Sequence, residues 1–82
     1  MSLGTPNQPC SPHQRLYIRT LFEGQELPLD YITKLNFRPF EKARLPLPTE
    51  GKRVDGVLEA LTRKQAAQLI DALVEMRDSA KA

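Results

Sequence analysis

The chain has 82 residues and a net charge of +2, with a single cysteine, no tryptophan, two tyrosines and three phenylalanines. That is one small domain at most, and a charge of this size does not by itself indicate nucleic acid. One cysteine excludes an internal disulfide framework and suits a reducing compartment, so a cytoplasmic protein is expected. No apolar stretch approaches the ~20 residues that span a membrane, and none has the pattern of a secretory leader.

Residues 1–10 contain prolines, a glycine and no apolar run, so they are expected to form a flexible N-terminal tail, in which Met1-Ser2-Leu3 has the composition of a cloning leader. A single helical domain is expected over residues 11–79, followed by a flexible C-terminus over 80–82. A core this small only just offsets chain entropy, which predicts modest stability or a homodimer that buries leftover apolar surface.

Ser11-Pro12-His13-Gln14 predicts the first helix, from Pro12 to Glu23. Ser11 caps it and Gln14 reaches back, Pro12 sits where a missing N–H costs nothing, and Gly24 is expected to supply a left-handed stop. Tyr17, Ile18, Leu21 and Phe22 share one face, Arg19 can pair with Glu23 one turn on, and Leu16 lies outside the stripe.

Leu27-Pro28-Leu29-Asp30 ends that helix and predicts a short second one through Leu35, with Leu29, Ile32 and Leu35 as its buried edge. Asn36 to Phe40 is expected to turn away, since Pro39 disfavours helix at Arg38, and a brief helical turn is expected over Glu41 to Arg44. Leu45-Pro46-Leu47-Pro48 is expected to be extended, a rigid spacer, and Thr49-Glu50-Gly51 a turn. Val54, Val57, Leu58 and Leu61 predict a short helix ending near Ala60, weakened by Gly56.

Thr62 and Gln65 repeat the capping arrangement of Ser11 and Gln14 and open the strongest helix, Arg63 to about Asp78. Ala66, Leu69, Ile70, Leu73, Val74 and Arg77 form its inner stripe, while Gln68, Asp71 and Glu75 point outward. With little strand signal, the fold class is all-α: two main amphipathic helices joined by a long proline-rich connection with one or two short helices.

Little here suits catalysis. His13 is the only histidine, the four glycines are scattered, and Glu23, Glu26 and Asp30 read as solvated acids around a helix end. Cys10 and His13 have ligand spacing but lack two further ligands, so no metal and no cofactor are expected. A non-enzymatic protein is the reading.

Charge is segregated. Residues 34–53 hold six basic side chains against two acidic ones, and the rest of the chain is net acidic. Arg63 and Lys64 stand on the first turn of the last helix, where free N–H groups attract anions, and Lys52 and Arg53 precede them. Tyr31, Phe37 and Phe40 are interleaved with Lys34, Arg38, Lys42 and Arg44; the phenylalanines are expected in the core.

Two blocks carry a resemblance: Ser11, Gln14, Tyr17, Ile18 and Leu21, then Leu61, Thr62, Gln65, Ala66, Leu69, Ile70 and Leu73. Together they resemble short, mostly uncharacterised bacterial and phage modules built as helix, extended loop, helix, some appended to proteins that handle DNA. The resemblance covers about a third of the chain and implies a small DNA-associated or adaptor domain without catalytic residues. The connection from Gln25 to Ala60 is longer and richer in proline than such modules need.

The sequence therefore points to a binding module with weak, salt-sensitive phosphate contacts from Lys34, Arg38, Lys42, Arg44, Lys52, Arg53, Arg63 and Lys64. The alternative is a protein–protein interaction adaptor, phage-encoded, docking on a host or partner protein through Leu16 and the Pro46–Pro48 segment.

Overall fold

The structure, a computed structural model, describes residues 8–81, with side chains as far as Ser79. Its elements in chain order are the helices α1 (Pro12–Gly24), α2 (Lys34–Lys42), α3 (Val54–Glu59) and α4 (Arg63–Lys81). No sheet forms among the described residues; two isolated antiparallel bridges, Pro9 with Thr62 and Tyr31 with Arg53, tie the loops together. The all-α class expected from the sequence is the class observed.

Three helices begin with the same device. Ser11 and Gln14, Thr33 and Asn36, and Thr62 and Gln65 each exchange a hydroxyl and a carboxamide oxygen for backbone N–H groups across the first turn. Each pair satisfies donors that a helix start otherwise leaves open.

α1 and α4 run side by side in the same direction. Gln14 Nε2 donates to the carbonyl of Arg63 at 3.2 Å, and Gln25 Nε2 donates to that of Leu73 at 3.0 Å. Ile18, Leu21 and Phe22 of α1 are buried in one cluster with Ala66, Leu69 and Leu73 of α4. Phe40 and Pro39 of α2, Val54 and Leu58 of α3, and the loop residues Ile32, Leu45 and Leu61 complete the core. Each large apolar side chain so buried contributes ~1.5–3 kcal/mol.

The second helix lies later than its expected place. It begins at Lys34, absorbs the anticipated turn at Glu41, and contains Pro39 within its second turn. Proline there removes one helical N–H, leaving the Leu35 carbonyl without its usual donor, in a residue that is 57% exposed. The Pro39 ring itself is fully buried, and its packing offsets the cost. Of Leu29, Ile32 and Leu35, only Ile32 is buried, from extended chain.

Gly24 does not stop α1 in a left-handed conformation. It is the last helical residue, and Glu26 takes the positive φ of 59°. The Leu27 N–H then donates to the Phe22 carbonyl at 2.8 Å and the Glu26 N–H to that of Glu23 at 3.1 Å, the paired bonds of a Schellman motif. α2 ends in the same way: Arg44 has φ 60°, and the Leu45 N–H donates to the Phe40 carbonyl at 2.9 Å. Gly51 (φ 91°) makes the turn expected over Thr49 to Gly51.

Further side chains depart from expectation. Tyr17 is 43% exposed, lying beside rather than within the buried stripe of α1. Arg19 pairs with Asp55 of α3 instead of Glu23. Arg77 of α4 is exposed and pairs with its neighbour Asp78 at 3.7 Å. Helix α4 itself runs past Asp78 through residues expected to be a flexible C-terminus, as far as Lys81.

At the other end, residues 8–10 belong to the domain rather than to a tail. The Cys10 N–H donates to the Leu61 carbonyl at 3.1 Å, and the Gln8 carbonyl accepts from the Arg63 N–H at 2.7 Å. Cys10 is buried, and its thiol donates to the Leu58 carbonyl at 3.1 Å. The remainder of the expected tail, including Met1 to Leu3, lies outside the described residues. Cys10 thus points into the core while His13 is exposed on the first turn of α1.

Candidate nucleic-acid interface

All eight cations singled out from the sequence are exposed, and the fold distributes them over separate places. Lys34, Arg38 and Lys42 recur every four residues along α2, roughly opposite its buried residues Asn36, Pro39 and Phe40. That stripe is held rigidly because Asn36 anchors the helix. Its Nδ2 donates to the Pro28 carbonyl at 2.8 Å, and its Oδ1 accepts from the Thr33 N–H at 3.1 Å and the Thr33 hydroxyl at 3.0 Å. Arg38 and Lys42, joined by Arg77, border an open hollow of about 760 Å³ between α2 and the C-terminal ends of α1 and α4. Lys42 also reaches Glu75 at 3.8 Å. Arg44 follows at the left-handed end of α2.

Lys52 and Arg53 stand elsewhere, before α3. The Ile32 N–H donates to the Lys52 carbonyl at 2.7 Å and the Val54 N–H to the Asp30 carbonyl at 3.0 Å. Those two bonds flank Tyr31 and Arg53 and make them a non-hydrogen-bonded antiparallel pair, the kind in which opposed side chains lie closest. Tyr31 is 55% exposed, so an aromatic ring and a guanidinium share one wet face. Lys52 and Arg53 also edge a groove of about 410 Å³ between the Leu45–Pro48 segment and α3.

Arg63 and Lys64 lie on the first turn of α4, whose capacity for an anion is reduced. The Arg63 N–H is taken by the Gln8 carbonyl at 2.7 Å, and the Gln65 N–H by the Thr62 hydroxyl at 3.1 Å. Of the three first-turn amides, this leaves that of Lys64, so the two side chains rather than the helix end carry the positive field there.

The structure therefore brings Arg38 together with Lys42, and Lys52 together with Arg53, but not all eight residues onto one surface. The pairing of Tyr31 with Arg53 and the position of Arg77 beside α2 escaped the sequence reading. Both depend on segments far apart in the chain, and neither leaves a local pattern. Phe37 and Phe40 pack against or within the core, as expected. Among the described residues, no group of three or more His, Cys, Asp or Glu side chains is placed to hold a metal ion.

No family model, curated protein or solved structure matches the chain. No described helix is long and apolar enough to cross a membrane.

Proposed function

We propose that this chain is a non-enzymatic binding module that holds nucleic acid weakly through its phosphates, by Lys34, Arg38, Lys42, Arg44, Lys52, Arg53, Arg63 and Lys64, in the cytoplasm. One observation carries the reading. Among the described residues, only Lys42 of these eight exposed cations comes within 4.0 Å of a carboxylate. Outside the set, again among the described residues, Arg19 and Arg77 are paired and Arg15 is not. Unpaired cations in a segment of net positive charge keep their field available to a polyanion, which releases counterions when it binds. Few contacts imply micromolar or weaker affinity.

The test is a fluorescence titration of labelled DNA and RNA, single- and double-stranded, at ~50 and ~200 mM salt. Binding should be detectable at the lower salt and fall steeply at the higher. Absence of binding at the lower salt removes the reading.

A protein-interaction adaptor is the second reading, supported by the apolar side chains left in water: Leu16 is 63% and Leu47 51% exposed. Isolated exposed leucines are common on soluble domains, so this support is weaker than the unpaired charge.

A further inference from the structure

The groove beside Lys52 and Arg53 has a shape and lining that phosphate contacts alone do not use. Phe40, Leu45, Pro46, Pro48, Val57 and Leu61 line it. At about 410 Å³ it falls in the range of clefts that take small organic groups, and it is open to water along its length. Gly56 is one of its lining residues, inside the six-residue helix α3. Glycine weakens a helix interior, and a Cβ at this position would meet nothing within 4 Å, so no neighbour requires its absence. At this lining position the missing side chain leaves the space beside the groove open.

We infer that this groove receives an unpaired base of single-stranded nucleic acid, with Lys52 and Arg53 holding the adjoining phosphates and Tyr31 offering a stacking surface beside them. The inference rests on the phosphate-binding reading and adds that the strand must be single. A base inside a duplex keeps its faces stacked on its neighbours, whereas an unpaired base can give one face to apolar side chains and keep its polar edge in water. Tyr31 is exposed in a domain with few aromatic residues for its core, and its cross-strand partner is Arg53, whose guanidinium has no carboxylate partner among the described residues. An aromatic face next to a cation is the combination that single-strand binding uses. Lys52 and Arg53, adjacent, exposed and next to an aromatic residue, match a phosphate beside a stacked base.

The experiment is fluorescence anisotropy at ~50 mM salt with labelled oligo-dT and with its duplex on oligo-dA, for the parent, Gly56→Leu, Tyr31→Ala and Tyr31→Phe. The single strand should bind at least about tenfold more tightly than the duplex, and Gly56→Leu and Tyr31→Ala should each weaken it about tenfold. Tyr31→Phe keeps the ring and should bind like the parent. Melting curves show whether the variants fold; Gly56→Leu should melt no lower than the parent. Equal binding of the two forms, or folded Gly56→Leu and Tyr31→Ala proteins within about twofold of the parent, overturns the groove inference and leaves the phosphate reading standing. Failure to bind either form removes both. A labelled acidic, apolar peptide that binds the parent but not Gly56→Leu, where oligo-dT does not bind, assigns the groove to a protein partner and overturns the inference.

Discussion

Gln25, the residue that caps the end of α1, donates its Nε2 proton to the backbone carbonyl of Leu73, in the middle of α4, at 3.0 Å. With the equivalent bond from Gln14 to Arg63 near the start of both helices, it fixes α1 and α4 as parallel neighbours. Parallel helices cannot be joined by a short turn. The chain must travel back the length of α1, close to 20 Å at 1.5 Å per residue, before α4 can begin. The long proline-rich connection is that return path, and on its way it supplies Ile32, Phe40, Leu45, Val54 and Leu58 to the core.

Replacing Gln25 with alanine should cost about 0.5–1.5 kcal/mol, the usual net value of one hydrogen bond. In a domain of this size that lowers the melting temperature by ~4–8 °C per kcal/mol. An unchanged melting curve would show that the cross-helix bond contributes nothing.

Asn36 is fully buried with every side-chain polar group engaged. Asn36→Asp preserves the shape but replaces the donor to the Pro28 carbonyl with an oxygen. A carboxyl buried there has a folded pKa raised above its unfolded value of ~3.9. Its favourable contribution is then present below the unfolded pKa, where the protonated acid can donate to Pro28, and is lost as pH rises through the folded pKa. The variant should be weaker than the parent by about 1–3 kcal/mol at pH 7, and the gap should narrow as pH falls toward ~4. Denaturant unfolding of both proteins across that range checks the sign.

Glycine is present at the end of α1, which does not need it, and absent from the left-handed positions that follow α1 and α2. A Cβ on Gly24 meets nothing within 4 Å, while Glu26 and Arg44 hold left-handed conformations with side chains attached. Gly24→Ala should stabilise by up to ~1 kcal/mol through helix propensity. Glu26→Gly and Arg44→Gly should each stabilise by about 0.5–1 kcal/mol, strain relief outweighing the added freedom of the unfolded chain. A fall in melting temperature for either glycine variant would mean that the side chain removed contributes more than the strain costs.

Cys10 donates its thiol to the Leu58 carbonyl from a buried position. A thiol reagent should therefore modify the native protein at least about tenfold more slowly than the unfolded chain, because reaction must await local opening. Equal rates would show that the segment from Gln8 to Cys10 does not stay docked on α4.

If nucleic acid binds, charge removal should alter the salt dependence rather than the fold. Replacing Lys34 and Arg38 with glutamine removes two exposed, unpaired cations from one stripe. On a single strand the slope of log K against log salt should become shallower by roughly 1.4, about 0.7 per phosphate contact. Arg63→Gln with Lys64→Gln should have a comparable effect if those side chains also touch phosphate. A slope unmoved by either pair excludes that pair from the interface.

The starts of α1 and α4 were legible in the residues because capping is a contact across three positions: Ser11 with Gln14, Thr62 with Gln65. The same chemistry at Thr33 and Asn36 was masked by Pro39, which breaks a helix in isolation but here turns a fully buried ring into the core. Of the candidate site, the residue types and their exposure could be anticipated from charge, while the grouping of Arg38 with Lys42 and Arg77, and of Arg53 with Tyr31, could not.

Short-range chemistry thus specified an all-α chain, its two long amphipathic helices and their first turns, since caps and helical stripes involve neighbours within four positions. Packing between remote segments determined the rest: the parallel course of α1 and α4, the place of α2, the burial of Phe22 and exposure of Tyr17 on one helix, and the placing of Arg38 and Lys42 at one hollow and Lys52 and Arg53 at another. Those outcomes depend on which distant side chains meet, and the cost of leaving apolar surface in water is settled only when the whole core closes.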